Sequence, residues 1–356
     1  MTNLLEILYA TEFKKPSFYP RKFSFSEAKT LLVGPKKSGK STLIFDYLST
    51  KKKGSFLYID FADLRLSQAI IFGLPAFIEH HDITLLVLEN FDFSFKIPDC
   101  QEVIITTCAH KTLEGFSTQV LYPLDFEEFI AFAKKGSDAE TIFGHFANVG
   151  TFPAMLEVSK FAFVQSFQHL LTSYYHAPVE LEILKTYTLR QSTLVSVYAM
   201  FNLVKKHHKI SKDKFYAYTA KLLNEEVIFM VEKYGQKSTQ KKLYMIDFAM
   251  RGVLSFEKDF IRRFENMIFL ELYKRGMEVN YTDVIDFYLP QKDTAIFSLP
   301  FVPRETIGKR LQKAYGEFEK LGIRQVQVIT MGLEDEMYTG DIAVELLPFW
   351  NWAVQL

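Results

Sequence analysis

The sequence predicts an α/β protein in which a parallel sheet buried on both faces comes first, a helical region follows, and a mixed sheet flanked by helices closes the chain. Between residues 31 and 126, short and nearly all-apolar runs alternate with stretches of helical period. A strand covered on both faces needs no polar positions, and this spacing leaves room for crossover helices. From Pro153 to about Arg251 the strand signal fades and helical periods take over, and beyond that point strands and helices alternate again. At 356 residues the chain is too long for one ordinary core. The expected division is three domains: 1–155, 156–250 and 251–356.

The first five strands read as "TLLVG", "SFLYIDF", "ITLLVLENF", "EVIITTC" and "TQVLYPL". "VELEILKTYTLRQSTLVSVYAMFNLVKK" reads as helical. The stretch from "HKISKDKF" to "KKLYMIDF" then runs helix, turn, helix and two strands joined by "YGQKSTQKK", the order of a winged helix. The closing region reads as helix ("DFIRRFENMIFLELYKRG"), strand ("MEVNYTDVIDFYL"), strand ("TAIFSLP"), helix ("TIGKRLQKAYGEFEKLG"), strand ("RQVQVITM") and the segment "AVELLPFWNWAVQL".

Lys plus Arg equals Asp plus Glu at 42 each, so any affinity for nucleic acid must come from a local patch. Two cysteines make no disulfide framework, and the pairs His80-His81 and His207-His208 have no third ligand at metal-binding spacing. The N-terminal sequence lacks the pattern of a secretory signal, and no apolar run is long enough for a bilayer span. A soluble cytoplasmic protein with no membrane partner is expected.

The sharpest local signal is Gly34-Pro35-Lys36-Lys37-Ser38-Gly39-Lys40-Ser41, which matches G-x-x-x-x-G-K-[ST] between a buried strand and a helix start; Thr42 directly follows. Glycines let backbone N–H groups wrap phosphates, and the helix N-terminus adds its dipole. Lys40 is placed to reach the β and γ phosphates and Ser41 to ligate Mg²⁺, so ATP and Mg²⁺ are the expected cofactors. Hydrolysis needs a carboxylate on a neighbouring strand end and a group that orients or deprotonates water. Glu89 ends the run "DITLLVLENFDF" and is the metal-side candidate; Asn90 follows it but cannot accept a proton. Thr106, at the end of "VIITT", is the candidate sensor of the γ phosphate, or else an ordinary strand residue.

The P-loop, "LYIDFADLRL", the apolar strand before Glu89, "VIITTCAHK", "LYPLDFEEF" and "GTFPAML" occur in an order that resembles the prokaryotic AAA-like ATPases. The resemblance implies an ATPase core, a winged helix and a C-terminal domain of restriction-endonuclease-like fold, the last through "KKLYMIDFAMR", "RRFENMIFLELYKRG", "VNYTDVIDFYL" and "LPFWNWAV". The family's strand-end pair Asp-Glu is here Glu89-Asn90, and its Gly-Arg is Gly115-Phe116. Before residue 150 the arginines are Arg21 and Arg65, so candidates for an arginine finger are few. In the C-terminal part Asp286 and Glu265 match the first nuclease elements, but "TAIFSLPF" has neither the Glu nor the Lys of the next strand. The expectation is a degenerate nuclease fold that does not cut DNA, with Asp286 a surface or turn carboxylate.

From Lys205 to Lys242 ten lysines stand against four acidic residues, a net of 10 − 4 = +6. Lys209, Lys212 and Lys214 cluster at a helix start, and Lys237, Lys241 and Lys242 lie on or beside the wing loop, with Tyr216 and Tyr218 interleaved. Two readings stay open: contacts to duplex DNA, or a solvated face on a protein-binding winged helix. The functional expectation is an ATP-binding AAA-like protein with slow hydrolysis, whose nucleotide state alters domain docking and which is open to homo-oligomerisation. The rivals are a non-hydrolysing ATP-binding scaffold and, disfavoured by the lack of an arginine-rich lid, a small-molecule kinase.

Overall fold

The computed structural model describes residues 4–17, 21–108, 111–133, 136–257 and 259–356. The chain divides into two compact units, Met1–Pro123 and Leu124–Leu356.

The first unit opens with α1 (Leu4–Tyr9) and then builds a sheet from β1 (Lys29–Val33), β2 (Phe56–Asp60), β3 (Leu85–Glu89), β4 (Glu102–Thr107) and β5 (Ser117–Val120). Helix α2 (Lys40–Ser49) connects β1 to β2, and α3 (Gln68–His80) connects β2 to β3. Among the described residues the strand order is β2-β3-β4-β1-β5, and every pairing is parallel. A five-stranded parallel sheet is consistent with a P-loop core. β3 is buried along its whole length, as its unbroken apolar run dictates, whereas edge strand β5 alternates between half-buried and exposed. The strands β1 and β3, separated by β4, end on the same edge of the sheet, where ligands of open parallel sheets sit.

The second unit begins with α4 (Phe126–Phe132), α5 (Ala139–Val149), α6 (Phe163–Thr172) and α7 (Pro178–Thr188). Its three-stranded antiparallel sheet is β6 (Leu194–Val195), β7 (Ile228–Val231) and β8 (Lys241–Met245) in the order β6-β8-β7, with α8 (Val197–Lys205) and α9 (Lys212–Asn224) between β6 and β7. After α10 (Met250–Leu254) and α11 (Phe260–Lys274) comes the mixed sheet β12-β13-β11-β10-β9, built from β9 (Phe287–Leu289), β10 (Thr294–Ser298), β11 (Gln325–Thr330), β12 (Asp335–Thr339) and β13 (Ile342–Pro348). α12 (Arg304–Leu321) joins β10 to β11, and α13 (Phe349–Gln355) ends the chain.

The unit boundary falls at 123/124 and not at 155/156, because α4 and α5 pack with the end of the chain. The rings of Phe126 and Phe143 lie 5.5 Å and 5.0 Å from that of Phe349 in α13. One buried cluster runs from Leu124 through Met250 to Ala353, so the core continues across 250/251 as well. The stretch read as helical through Arg190 to Val195 is interrupted: Ser192 takes φ 55 and donates its N–H to Leu243 O, and β6 then pairs with β8. The β-branched Thr193 and Val195 favour that extended pairing over another helical turn.

Candidate functional site: a phosphate loop and the strand ends beside it

The loop after β1 turns on two glycines with different tasks. Gly34 leaves the sheet so close to β5 that a Cβ there would lie 2.2 Å from the carbonyl oxygen of Leu121, and only glycine fits. Gly39 takes φ 101 at the N-cap of α2 and, lacking a side chain, leaves the first N–H groups of that helix uncapped by a side chain. Lys37 is also left-handed, at φ 65. Pro35 and Ser38 are buried, Lys36 and Thr42 half-buried and Lys37 exposed. The Ser38 hydroxyl is wholly enclosed and, among the described residues, has no hydrogen-bond partner.

Lys40 is only 8% exposed and donates from Nζ to the carbonyl oxygens of Gly34 at 2.6 Å and Pro35 at 2.9 Å. The ammonium therefore lies inside the loop and not out in solvent. The guanidinium of Arg21 clamps the loop from outside, donating to Ser38 O at 2.7 Å and to Tyr122 O at 2.6 Å, the latter just beyond β5. Arg65 is taken up by Asp63, 2.7 Å away on the surface.

Glu89 is 3% exposed at the end of β3. The Ser41 hydroxyl donates to Glu89 Oε1 and the Tyr58 hydroxyl, from β2, donates to Oε2. The residues expected to flank Mg²⁺ thus meet although 48 positions apart in sequence. Burial pushes the Glu89 carboxyl above its ordinary range, while the hydrogen bonds from Ser41 and Tyr58 act against that shift. Burial and the neighbouring Glu89 carboxylate raise the Tyr58 hydroxyl too.

Asn90 is exposed and left-handed, at φ 54, a conformation asparagine tolerates better than most residues. Its backbone N–H donates to Thr106 Oγ1 at 3.0 Å and its side-chain Nδ2 donates to Asp60 Oδ1 at 2.8 Å. Thr106, fully buried, thereby ties the end of β4 to the end of β3. Ala109 and His110, the end of the sensor-like motif, lie outside the described residues. Sequence reasoning missed Tyr58, Asp60 and the role of Arg21. The first two carry a signal, being the polar positions at period two in "LYID" on an otherwise apolar strand. Arg21 carries none.

The raised Glu89 carboxyl makes a pH prediction. Between the ordinary carboxylate value, about 4, and its raised value in the fold, the native state holds more proton than the unfolded chain. Its contribution to stability therefore falls as pH climbs through that window. Urea titrations of wild type and Glu89→Gln at successive pH values should show the difference in stability growing upward from the ordinary carboxylate range. A difference independent of pH would show that Glu89 titrates normally.

In the second unit Glu265 and Asp286 do come together, but with cations between them. Lys242 Nζ lies 2.8 Å from Glu265 Oε1 and 4.0 Å from Asp286 Oδ1. Arg310 donates to both oxygens of Asp286, at 2.8 Å and 2.9 Å, and the Ser298 N–H donates to Oδ2 at 3.0 Å. Asp286 is therefore no free surface or turn carboxylate; its side chain is 15% exposed and held from two sides. Burial raises the Glu265 carboxyl, with Lys242 opposing the shift. Among the described residues no group of three His, Cys, Asp or Glu could hold a metal ion.

Of the lysines expected to face a partner, Lys242 is not free to do so: its side chain is 12% exposed and paired with Glu265. Lys241 pairs with Glu232 at 2.6 Å. Lys209, Lys212, Lys214 and Lys237 are exposed. Lys212 lies over the rings of Tyr198 and Tyr216 at 5.7 Å and 5.5 Å, and Lys214 lies 5.9 Å from that of Tyr218.

No family model matches the chain. It is 23% identical to an uncharacterised protein of Methanocaldococcus jannaschii over 389 aligned positions, covering 91% of this chain and 88% of that one. Among solved structures it is similar to a Walker-type ATPase of Pyrococcus abyssi, with a TM-score of 0.43 and 14% identity over 63% of this chain and 90% of that chain. No helix among the described residues is long and apolar enough to cross a membrane.

Proposed function

We propose that this protein binds ATP with Mg²⁺ at the loop Gly34–Ser41 and turns it over slowly. The observation that carries this is the meeting of Ser41 and Glu89: a hydroxyl at the start of α2 and a buried carboxylate at the end of β3 share one hydrogen bond beside a loop that leads into a helix N-terminus no side chain caps. Ser41 and Glu89 would hold the Mg²⁺ shell, Lys40 would exchange its loop carbonyls for phosphate oxygens, and the uncapped N–H groups would meet the remaining charge. Fluorescence or calorimetric titration with ATP, with and without Mg²⁺, tests the binding. A steady-state phosphate-release assay separates turnover from a non-hydrolysing scaffold.

A second reading concerns the lysine face. In support, exposed Lys209, Lys212 and Lys214 sit between α8 and the first turn of α9, within the order α8, α9, β7, β8 expected of a winged helix, with Tyr198 and Tyr216 exposed beside them. In this reading the face contacts the phosphates of duplex DNA, and residues 251–356 serve as a degenerate restriction-endonuclease-like domain. Binding should weaken linearly in a plot of log affinity against log salt. Charge reversal at Lys209, Lys212 and Lys214 should reduce that slope by about 0.9 for each phosphate that is no longer neutralised. Absence of binding at low salt would hand this face to a protein partner.

A further inference from the structure

The proposed hydrolysis lacks a base at the position after Glu89, since the amide of Asn90 cannot accept a proton. The structure supplies a carboxylate one strand away. Asp60 and Glu89 are register partners at the ends of adjacent parallel strands, and Asp60, Tyr58 and Glu89 project to the same face of the sheet. Tyr58 reaches Glu89 on that face, and Glu89 reaches Ser41 at the phosphate loop. Asp60 is half-buried, within reach of solvent. Its Oδ1 accepts from Asn90 Nδ2 at 2.8 Å and from the Ala62 N–H at 2.9 Å.

We propose that Asp60 is the general base for ATP hydrolysis in this protein, and that Asn90 is its positioning residue; the inference rests on the nucleotide reading given above. Asn90 is itself fixed from β4, because its N–H is held by Thr106 Oγ1. The ends of three strands therefore form one chain of hydrogen bonds, Thr106 to Asn90 to Asp60. An amide that donates to one oxygen of a carboxylate fixes the direction of the other, a positioning that a base needs and that an amide in the base's own place cannot turn into proton transfer. In the step, the water oxygen bonds to the γ phosphorus while the bond from that phosphorus to the β,γ-bridging oxygen breaks. ADP leaves with the electron pair. The water proton passes to Asp60 and from there to bulk water, so ATP and water become ADP, inorganic phosphate and a proton.

The test uses the full chain and four measurements: the Kd for ATP, the Kd for ADP with aluminium fluoride, the turnover rate, and turnover in added formate. Asp60→Asn should bind ATP within about threefold of wild type, lose turnover by about 10²- to 10⁴-fold, and bind the aluminium fluoride complex at least tenfold more weakly. Asp60→Ala should regain turnover as formate is added, an effect that loss of a merely structural carboxylate would not produce. Asn90→Ala should lower turnover less than Asp60→Asn and be insensitive to formate. The proposal is overturned if wild type binds ATP but shows no turnover, or if Asp60→Asn keeps turnover and aluminium fluoride affinity within threefold. It is equally overturned if turnover is lost in Asp60→Ala without formate rescue. Failure of wild type to bind ATP would instead sink the nucleotide reading, and this proposal with it.

Discussion

Lys40→Ala should lose ATP affinity by about 100-fold or more, equivalent to about 2.8 kcal/mol, while the protein stays folded. The first part follows from geometry. Lys40 is buried in the loop with its ammonium on the carbonyls of Gly34 and Pro35, already at the place where phosphate oxygens would arrive. Nothing has to be carried in from solvent, and the charge is worth more in the partly enclosed loop than it would be in water. The second part follows from the core. The first unit is held by the apolar faces of β1, β3 and β4, with Leu31, Val33, Leu86, Leu88, Val103 and Ile105 all buried, whereas the Lys40 ammonium bonds to the loop carbonyls. Titration with ATP, paired with a thermal unfolding curve for each protein, checks both parts. An affinity unchanged within threefold would remove Lys40 from the site and take the proposed function with it.

Asp247→Ala should destabilise the second unit by about 3 to 5 kcal/mol, enough to unfold it in a marginal background. Asp247 is fully buried. Its Oδ2 accepts from the Thr151 N–H at 2.6 Å, the Thr151 hydroxyl at 2.9 Å and the Phe152 N–H at 3.2 Å, and its Oδ1 accepts from the Ala249 N–H at 2.7 Å. Truncation strands these donors away from water. Burial raises the carboxyl above its ordinary range while these hydrogen bonds oppose the shift, so the site is costly and fully used. Gly150 belongs to the same device: at φ 82, a Cβ there would lie 2.2 Å from Asp247 Oδ1. Two motifs that look unrelated in sequence, "GTFPAML" and "YMIDFAMR", are thus the two halves of one contact. A shift in urea midpoint equivalent to less than about 1 kcal/mol would show that water or other groups replace the carboxylate.

What the sequence determines here is what is local. The strands β1 to β4 declare themselves because burial on both faces leaves runs that are mostly apolar, and the loop Gly34–Ser41 because its glycines, lysine and serine are fixed by a turn only eight residues long. Glu89 was legible for the same reason, as the one charge closing an apolar run. β12 was not, since on an edge it alternates between half-buried and exposed and reads as polar loop. "MEVNYTDVIDFYL" reads as one strand but turns at Thr282, whose hydroxyl accepts from the N–H groups of Val284 and Ile285 and leaves only Phe287–Leu289 in the sheet.

Only the tertiary structure decided which polar residues meet. Lys242 looks like one more cation in a lysine run until Glu265 is folded against it, and Asp286 looks free until Arg310 arrives from α12. Asp60 looks like a strand-end carboxylate until the amide of Asn90 is seen to hold it. A side chain's burial and its partners depend on residues far away along the chain. Periodicity reports which face of an element is covered, and is silent about what covers it.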